Sequence, residues 1–147
     1  MPFPLDRTET RANFAFFLPV QTHWSNQDAF GHMNNAHYLA CFDTTIMHYL
    51  IHEGGFDVKT GPFRTFTVEN LCRYHRGIVF PQIIDCGLRI TKIGGSSVRY
   101  EIGLFTQGDE DVAATGYFID VFVDAVTERP TEISAPVRKH LSQLVRE

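Results

Sequence analysis

No apolar run in this 147-residue chain approaches the roughly 20 residues a membrane-crossing helix needs. The opening residues, including Asp6-Arg7-Thr8-Glu9-Thr10-Arg11, lack the charged-then-apolar order of a secretory leader. Cysteine is scarce and odd in number. Cys41, Cys72 and Cys86 lie far apart without CxxC spacing, so neither a disulfide framework nor a thiolate zinc site is expected, and the thiols read as free ones in a reducing cytoplasm. HExxH is also missing. Basic residues are outnumbered 13 to 17, for a formal charge of −4, which argues against a nucleic-acid surface. Repeats, linkers and low-complexity tracts are lacking. The expectation is one domain over residues 1–147, cytoplasmic, with no nucleic-acid or membrane partner.

What is present is apolar and aromatic. Hydrophobic residues make up 44% of the chain, and thirteen of its residues are Phe. A chain of this length buries roughly 70% of its unfolded surface, so the phenylalanines are expected chiefly as core, with a pocket for an apolar group as a second use.

Residues 1–13 read as a flexible arm. A β-prone stretch over 16–24 follows, which Pro19 confines to a sheet edge or to the start of a strand. Leu39, Phe42, Ile46, Tyr49 and Leu50 recur at helical spacing. They predict a helix over 35–53, capped by Asn34 or Asn35, stopped by Gly54-Gly55, and covered on most sides because it carries few charges. Beyond residue 62 the pattern is β. Phe66, Val68, Cys72 and Tyr74 are expected on one face of a second strand, Ile84, Cys86, Leu88 and Ile90 on a third, and Val98, Tyr100, Ile102 and Leu104 on a fourth. A nearly continuous apolar fifth strand runs over 112–126, and a short helix over 136–145. Gly-Gly and Gly-Asp turns imply hairpins. The sum is an α+β domain, with a five-stranded antiparallel sheet curved around a central helix.

The segment richest in chemistry is Asp28-Ala29-Phe30-Gly31-His32-Met33-Asn34-Asn35. It sets an acid before a glycine turn at the mouth of the long helix. A carboxylate there can act as base or nucleophile, and the helix's first unpaired N–H groups can hold a developing oxyanion. Asp28 takes the first role and the backbone N–H of Asn35 the second. His32 either orients Asp28, holds a water, protonates a leaving group or braces the loop. Further on, Lys92 and Arg99 flank Gly94, Gly95, Ser96 and Ser97, a combination suited to phosphate oxygens.

The run Trp24 to Asn35, with Tyr38, Leu39 and Phe42 behind it, resembles hotdog-fold acyl-CoA thioesterases of the 4-hydroxybenzoyl-CoA thioesterase type. The tail Val121-Phe122-Val123-Asp124 and Glu128-Arg129-Pro130 is similar to theirs as well. The resemblance implies a hotdog fold and hydrolysis of an acyl-CoA to the free acid and coenzyme A. It implies no cofactor, coenzyme A being part of the substrate, and a homodimer or homotetramer joined at sheet edges. It also implies that the Lys92–Arg99 hairpin meets the nucleotide end. Tyr38 is a substrate-binding candidate, pocket lining depending on which of Phe30, Tyr38, Phe42, Phe63 and Phe66 point inward. Members often carry an acid where this chain has Asn26, so a two-carboxylate scheme loses support and the single-acid scheme does not. An acyl carrier protein is the alternative carrier, and a non-catalytic acyl-CoA or carrier-protein binding module the alternative function. His48 and His52, four apart on the helix, are too few for a metal site. Asp43 lacks a glycine turn or free N–H groups, and Glu69 is expected to face solvent.

Overall fold

The computed structural model describes residues 3–147. Five strands, β1 (Phe16–Gln21), β2 (Phe63–Tyr74), β3 (Ile83–Ile93), β4 (Ser97–Thr106) and β5 (Ala114–Asp124), form one sheet in the order β1-β3-β4-β5-β2. All pairs are antiparallel. Helix α1 (Ala36–His48) continues through one wider turn, Tyr49–Glu53, and lies against the sheet, while α2 (Ala135–Ser142) closes the chain. This is the hotdog arrangement: an antiparallel sheet wrapped around a central helix.

Tyr38, Cys41, Phe42, Thr45 and Ile46 of α1, with Tyr49 and Leu50 of its extension, are buried. They meet Ile84, Cys86, Leu88 and Ile90 of β3 and Tyr100, Ile102 and Leu104 of β4, every one fully inaccessible. Gly54 and Gly55 end the helix, and the N–H of Phe56 returns to the carbonyl of Leu50 at 2.9 Å. Only one face of α1 is covered. Ala40, Asp43, Thr44, Ile51 and His52 stand exposed, so the scarcity of charge does not reflect burial on most sides within a single chain.

Pro19 sits in an edge strand, where the missing N–H costs no ladder bond. On β2, the opposite edge, the expected one-sided alternation breaks at a bulge. The register with β5 shifts between Thr67 and Glu69, leaving Val68 as the extra residue. One inserted residue reverses the parity of everything beyond it. Phe66 therefore lies on the face opposite to Cys72 and Tyr74, and Phe66 and Val68 are 43% and 62% exposed.

Residues 1 and 2 of the expected arm lie outside the described residues. The remainder is docked on the outer face of the sheet rather than loose. Leu5 and Glu9 are buried, and Phe14 packs edge-on against Phe105. The fixing point is electrostatic. Arg89 of β3 donates to both oxygens of Glu9 and, through Nε and Nη2, to Oε1 of Glu101 on β4. The Phe14 ring lies 4.4 Å from the Arg89 guanidinium carbon. Glu101 is shared with Arg99, so the buried Arg89 charge is balanced only with the carboxylate that the arm brings.

Candidate active site

Asp28 stands in a loop closed as a miniature hairpin. An isolated antiparallel bridge joins Gln27 to Met33, the Asp28 N–H donates to the His32 carbonyl at 2.8 Å, and Asn34 N–H donates to Asn26 O at 2.8 Å. Met33, nearly fully buried, anchors the loop, its N–H bonding the Ile78 carbonyl at 2.7 Å. Gly31 makes the turn with φ at +83°, a conformation costly for any residue with a Cβ.

The two oxygens of Asp28 are not equivalent. Oδ1 accepts from the N–H of Phe30 at 2.8 Å and of His32 at 3.3 Å. Oδ2 accepts from no group among the described residues. The half-buried carboxylate borders a surface pocket of about 340 Å³ with Trp24, Gln27, Gly31, Val79 and Phe80. Gln27 brings a second unfilled polar atom, because its buried Nε2 has no partner among the described residues. The site thus holds a free carboxylate oxygen, an idle amide donor and an aromatic wall, Trp24 meeting Phe80 edge-on at 5.9 Å.

His32 contributes its backbone to the loop while its ring lies against Gly77. A Cβ at position 77 would come within 2.6 Å of ring atom Cδ2. At the helix mouth, the side chain of Asn34 supplies the cap, accepting from Ala36 N–H at 3.0 Å. The amides of Met33, Asn34, Ala36, His37 and Tyr38 all donate, whereas that of Asn35 donates to nothing among the described residues. The Asn35 carbonyl accepts from the Tyr74 hydroxyl at 3.2 Å, so this free amide sits beside the end of edge strand β2. Asp28 and Asn35 flank one loop, but the pocket that Asp28 borders is not lined by Asn35. Tyr38 is buried, stacking edge-on against Tyr74 at 4.8 Å, and is also absent from the Asp28 pocket.

Lys92 and Arg99 are cross-strand partners and, with Arg146, line a cavity of about 430 Å³ that also holds Glu101 and Glu147. Arg99 donates to Glu101 at 2.9 Å and covers the Tyr117 ring at 3.9 Å. The glycine–serine turn between them is packed as structure. The carbonyls of Gly94, Gly95 and Ser96 accept from Arg138, Ile133 and Phe122, and the Glu132 carboxylate lies against Gly95. These bonds engage the carbonyls of the turn; of its N–H groups, that of Gly94 donates to the Ser97 carbonyl at 2.7 Å. Lys92 is at the far end of β3 from the Phe80 side. At about 3.3 Å per residue the two ends are roughly 30 Å apart, so Asp28 and Lys92 of one chain belong to separate sites.

Sequence reading missed Gln27, Trp24, Val79 and Phe80 as pocket residues. The available signal was an apolar run, Ile78-Val79-Phe80, in a connection where loop residues are ordinarily polar. Asp43, His48 and His52 line an open groove on the outer side of α1, the two rings 4.4 Å apart. Among the described residues no group of three or more His, Cys, Asp or Glu side chains comes together as a metal site. Glu69 is exposed and accepts from the Tyr117 hydroxyl at 2.7 Å.

A hotdog sheet with an acid-bearing loop leading into the central helix defines a thioesterase-like domain. Residues 20–141 match the thioesterase-like superfamily, and the chain belongs to it. The crystal structure of the PA5185 protein from Pseudomonas aeruginosa is similar over 94% of this chain and 96% of that one, at 38% identity and a TM-score of 0.91. Two more distant likenesses are in fold. The DHNA-CoA thioesterase of Staphylococcus aureus is 16% identical with a TM-score of 0.77, covering 86% of this chain and 88% of its own. Slr0204, a 1,4-dihydroxy-2-naphthoyl-CoA thioesterase from Synechocystis, is 12% identical with a TM-score of 0.79, covering 88% and 96%. No curated protein sequence matches the chain. No helix of the described residues is long and apolar enough to cross a membrane.

Proposed function

We propose that the protein hydrolyses acyl-CoA thioesters and that Asp28 carries the chemistry. The observation behind this reading is the division of labour on that carboxylate: one oxygen is tethered to its own loop, and the other is free over a pocket. The free oxygen either attacks the thioester carbon, giving a mixed anhydride that water then opens, or takes a proton from the attacking water. Gln27 lines the same pocket, and turning its unpaired amide toward the cavity lets it donate to that water or to the substrate carbonyl. The Asn35 amide, at the positive end of α1, is the donor for the oxyanion.

Free Asn35 N–H and exposed β2 edge lie side by side, which supports a homodimer joined through β2. Antiparallel pairing of two β2 edges brings the partner's β3–β4 turn to the end of the joined sheet that holds this chain's Asp28 loop. The carrier's phosphates then meet Lys92 and Arg99 of the neighbouring protomer, and the separation of roughly 30 Å within one chain is no obstacle. Coenzyme A is the carrier in this scheme. An acyl carrier protein in its place would present the same phosphopantetheine thioester.

Release of free thiol from a panel of short, long and aromatic acyl-CoAs, followed with a thiol reagent, tests the assignment. Turnover of at least one class is expected. Tight acyl-CoA binding with no thiol released from any of them would make the protein a binding module instead.

A further inference from the structure

The N-terminal arm does more than dock through Glu9. Phe3, near its start, is one wall of the cavity of about 430 Å³ that holds Lys92 and Arg99. A space of that size falls within the range of roughly 300–1,000 Å³ usual for ligand sites. The Phe3 ring is half-buried and fixed from beneath, the Arg89 guanidinium carbon lying 3.8 Å from its centroid.

A run of charged hydrogen bonds links the arm to the same cavity. Glu9 accepts from Arg89 at 3.0 Å, Arg89 donates to Oε1 of Glu101 at 2.8 Å, and Oε2 of Glu101 accepts from Arg99 at 2.9 Å. The docking of the arm and the aim of Arg99 therefore belong to one network. Of the other cations on the cavity wall, Lys92 and Arg146 form no ion pair among the described residues. Two carboxylates also line it, but Glu101 is engaged by Arg89 and Arg99, leaving Glu147 as the one acid against Lys92 and Arg146. A bare phosphate has no use for the ring, and an acyl chain has none for the cations. A nucleotide uses both: its base stacks on an aromatic face and its phosphates meet the positive side chains.

We propose that Phe3 is the platform on which the adenine of the carrier stacks, so that the N-terminal arm is itself a wall of the carrier site. The identity of the carrier rests on the hydrolase reading given above; the stacking platform rests on the cavity. The phosphopantetheine arm of an acyl carrier protein has neither a base nor a 3′-phosphate. A site built around Phe3 therefore selects coenzyme A between the two carriers.

Calorimetric binding to the full chain tests this without any turnover. The probes are adenosine 3′,5′-bisphosphate, AMP and inorganic pyrophosphate. The bisphosphate should bind the wild type, and AMP several-fold more weakly. Phe3→Ala should weaken both nucleotides about tenfold and leave pyrophosphate unchanged, while Phe3→Trp should keep nucleotide binding. An equal loss for pyrophosphate in Phe3→Ala would reduce Phe3 to a prop of the cavity and overturn the platform. AMP binding as tightly as the bisphosphate would make this a site for free nucleotides, and no nucleotide binding to the wild type would remove it altogether. Thiol release from acyl-CoAs is scored separately. If it persists in any of those cases, the hydrolase reading stands and the platform falls; if it is absent while the probes bind as expected, the reverse holds.

Discussion

Glu9 and Arg89, eighty residues apart in sequence, meet as a buried ion pair in which neither side chain has accessible surface. Glu101, 2.8 Å away on the next strand, is shared with Arg99 at 2.9 Å, so two arginines balance two carboxylates. The pair joins the N-terminal segment to the middle of the sheet, and its energetics differ from those of a surface contact. Removing one member leaves an uncompensated charge in a dry interior. Glu9→Ala should therefore cost about 3–5 kcal/mol of unfolding free energy, measured by urea titration. A loss below roughly 0.5 kcal/mol, typical of surface positions, would mean that the segment is not held by this contact.

Asp28→Asn keeps the loop's hydrogen bonds, because the amide oxygen still accepts from Phe30 and His32, but removes the reactive oxygen. Turnover should fall about 10²–10⁴-fold, the range general for loss of a catalytic acid or base. Circular dichroism and acyl-CoA affinity should stay near wild type. Asn35→Ala keeps its backbone donor and should retain most activity. If the two variants behaved in the opposite way, the roles given to these residues would have to be abandoned.

Gln27→Leu preserves volume and deletes the idle amide donor. A drop in kcat of about tenfold is expected, equivalent to one hydrogen bond of about 1.4 kcal/mol, with KM changing less. Unchanged steady-state constants would make Gln27 a bystander of the pocket.

Lys92→Ala should raise KM about tenfold and leave kcat nearly intact, since a phosphate contact is made equally in ground and transition states. The effect should shrink when a short acyl-pantetheine replaces the acyl-CoA, because that substrate lacks the nucleotide. A KM loss of equal size with both substrates would count against this role for Lys92.

Asp120 is buried beneath α1. Desolvation raises its pKa, the hydrogen bond from Thr67 at 2.8 Å lowers it, and the nearby Asp43 raises it; the net shift is upward. A carboxyl whose folded pKa is raised favours the fold below its unfolded value, near 3.8, and that contribution is lost as pH rises through the folded value. Asp120→Asn should thus raise Tm at pH 7 by a few degrees, on the order of 1 kcal/mol. The advantage should vanish below the usual carboxyl range. An equal gain at pH 3 and pH 7 would show that titration is not its source.

Local pattern revealed what local pattern controls. The stripe through Phe42, Ile46 and Leu50 located α1, and alternation from Ile84 to Ile90 and from Val98 to Leu104 located β3 and β4, because each buries one face against the same core. Pro19 marked an edge for a reason internal to its own ring. The features that escaped depend on partners distant in sequence. Nothing around Glu9 announces that Arg89 will be stranded without it, and the Val68 bulge shows only against β5. The site divides the same way. Asp28 stood out from its neighbours Gly31 to Asn35, whereas the wall supplied by Val79 and Phe80 comes from a connection some fifty residues away. The bonds that the Gly94, Gly95 and Ser96 carbonyls accept come from Arg138, Ile133 and Phe122, partners that no local pattern names.

The tether on Oδ1 makes the aim of Asp28 and the shape of its loop a single property. The outer oxygen keeps a fixed bearing because the Phe30 and His32 amides hold its twin, and they do so only while Gly31 makes its left-handed bend. Slackening that bend would leave every chemical group in place and still blunt the proposed reaction, as a lens loses its image when the mount, and not the glass, is disturbed.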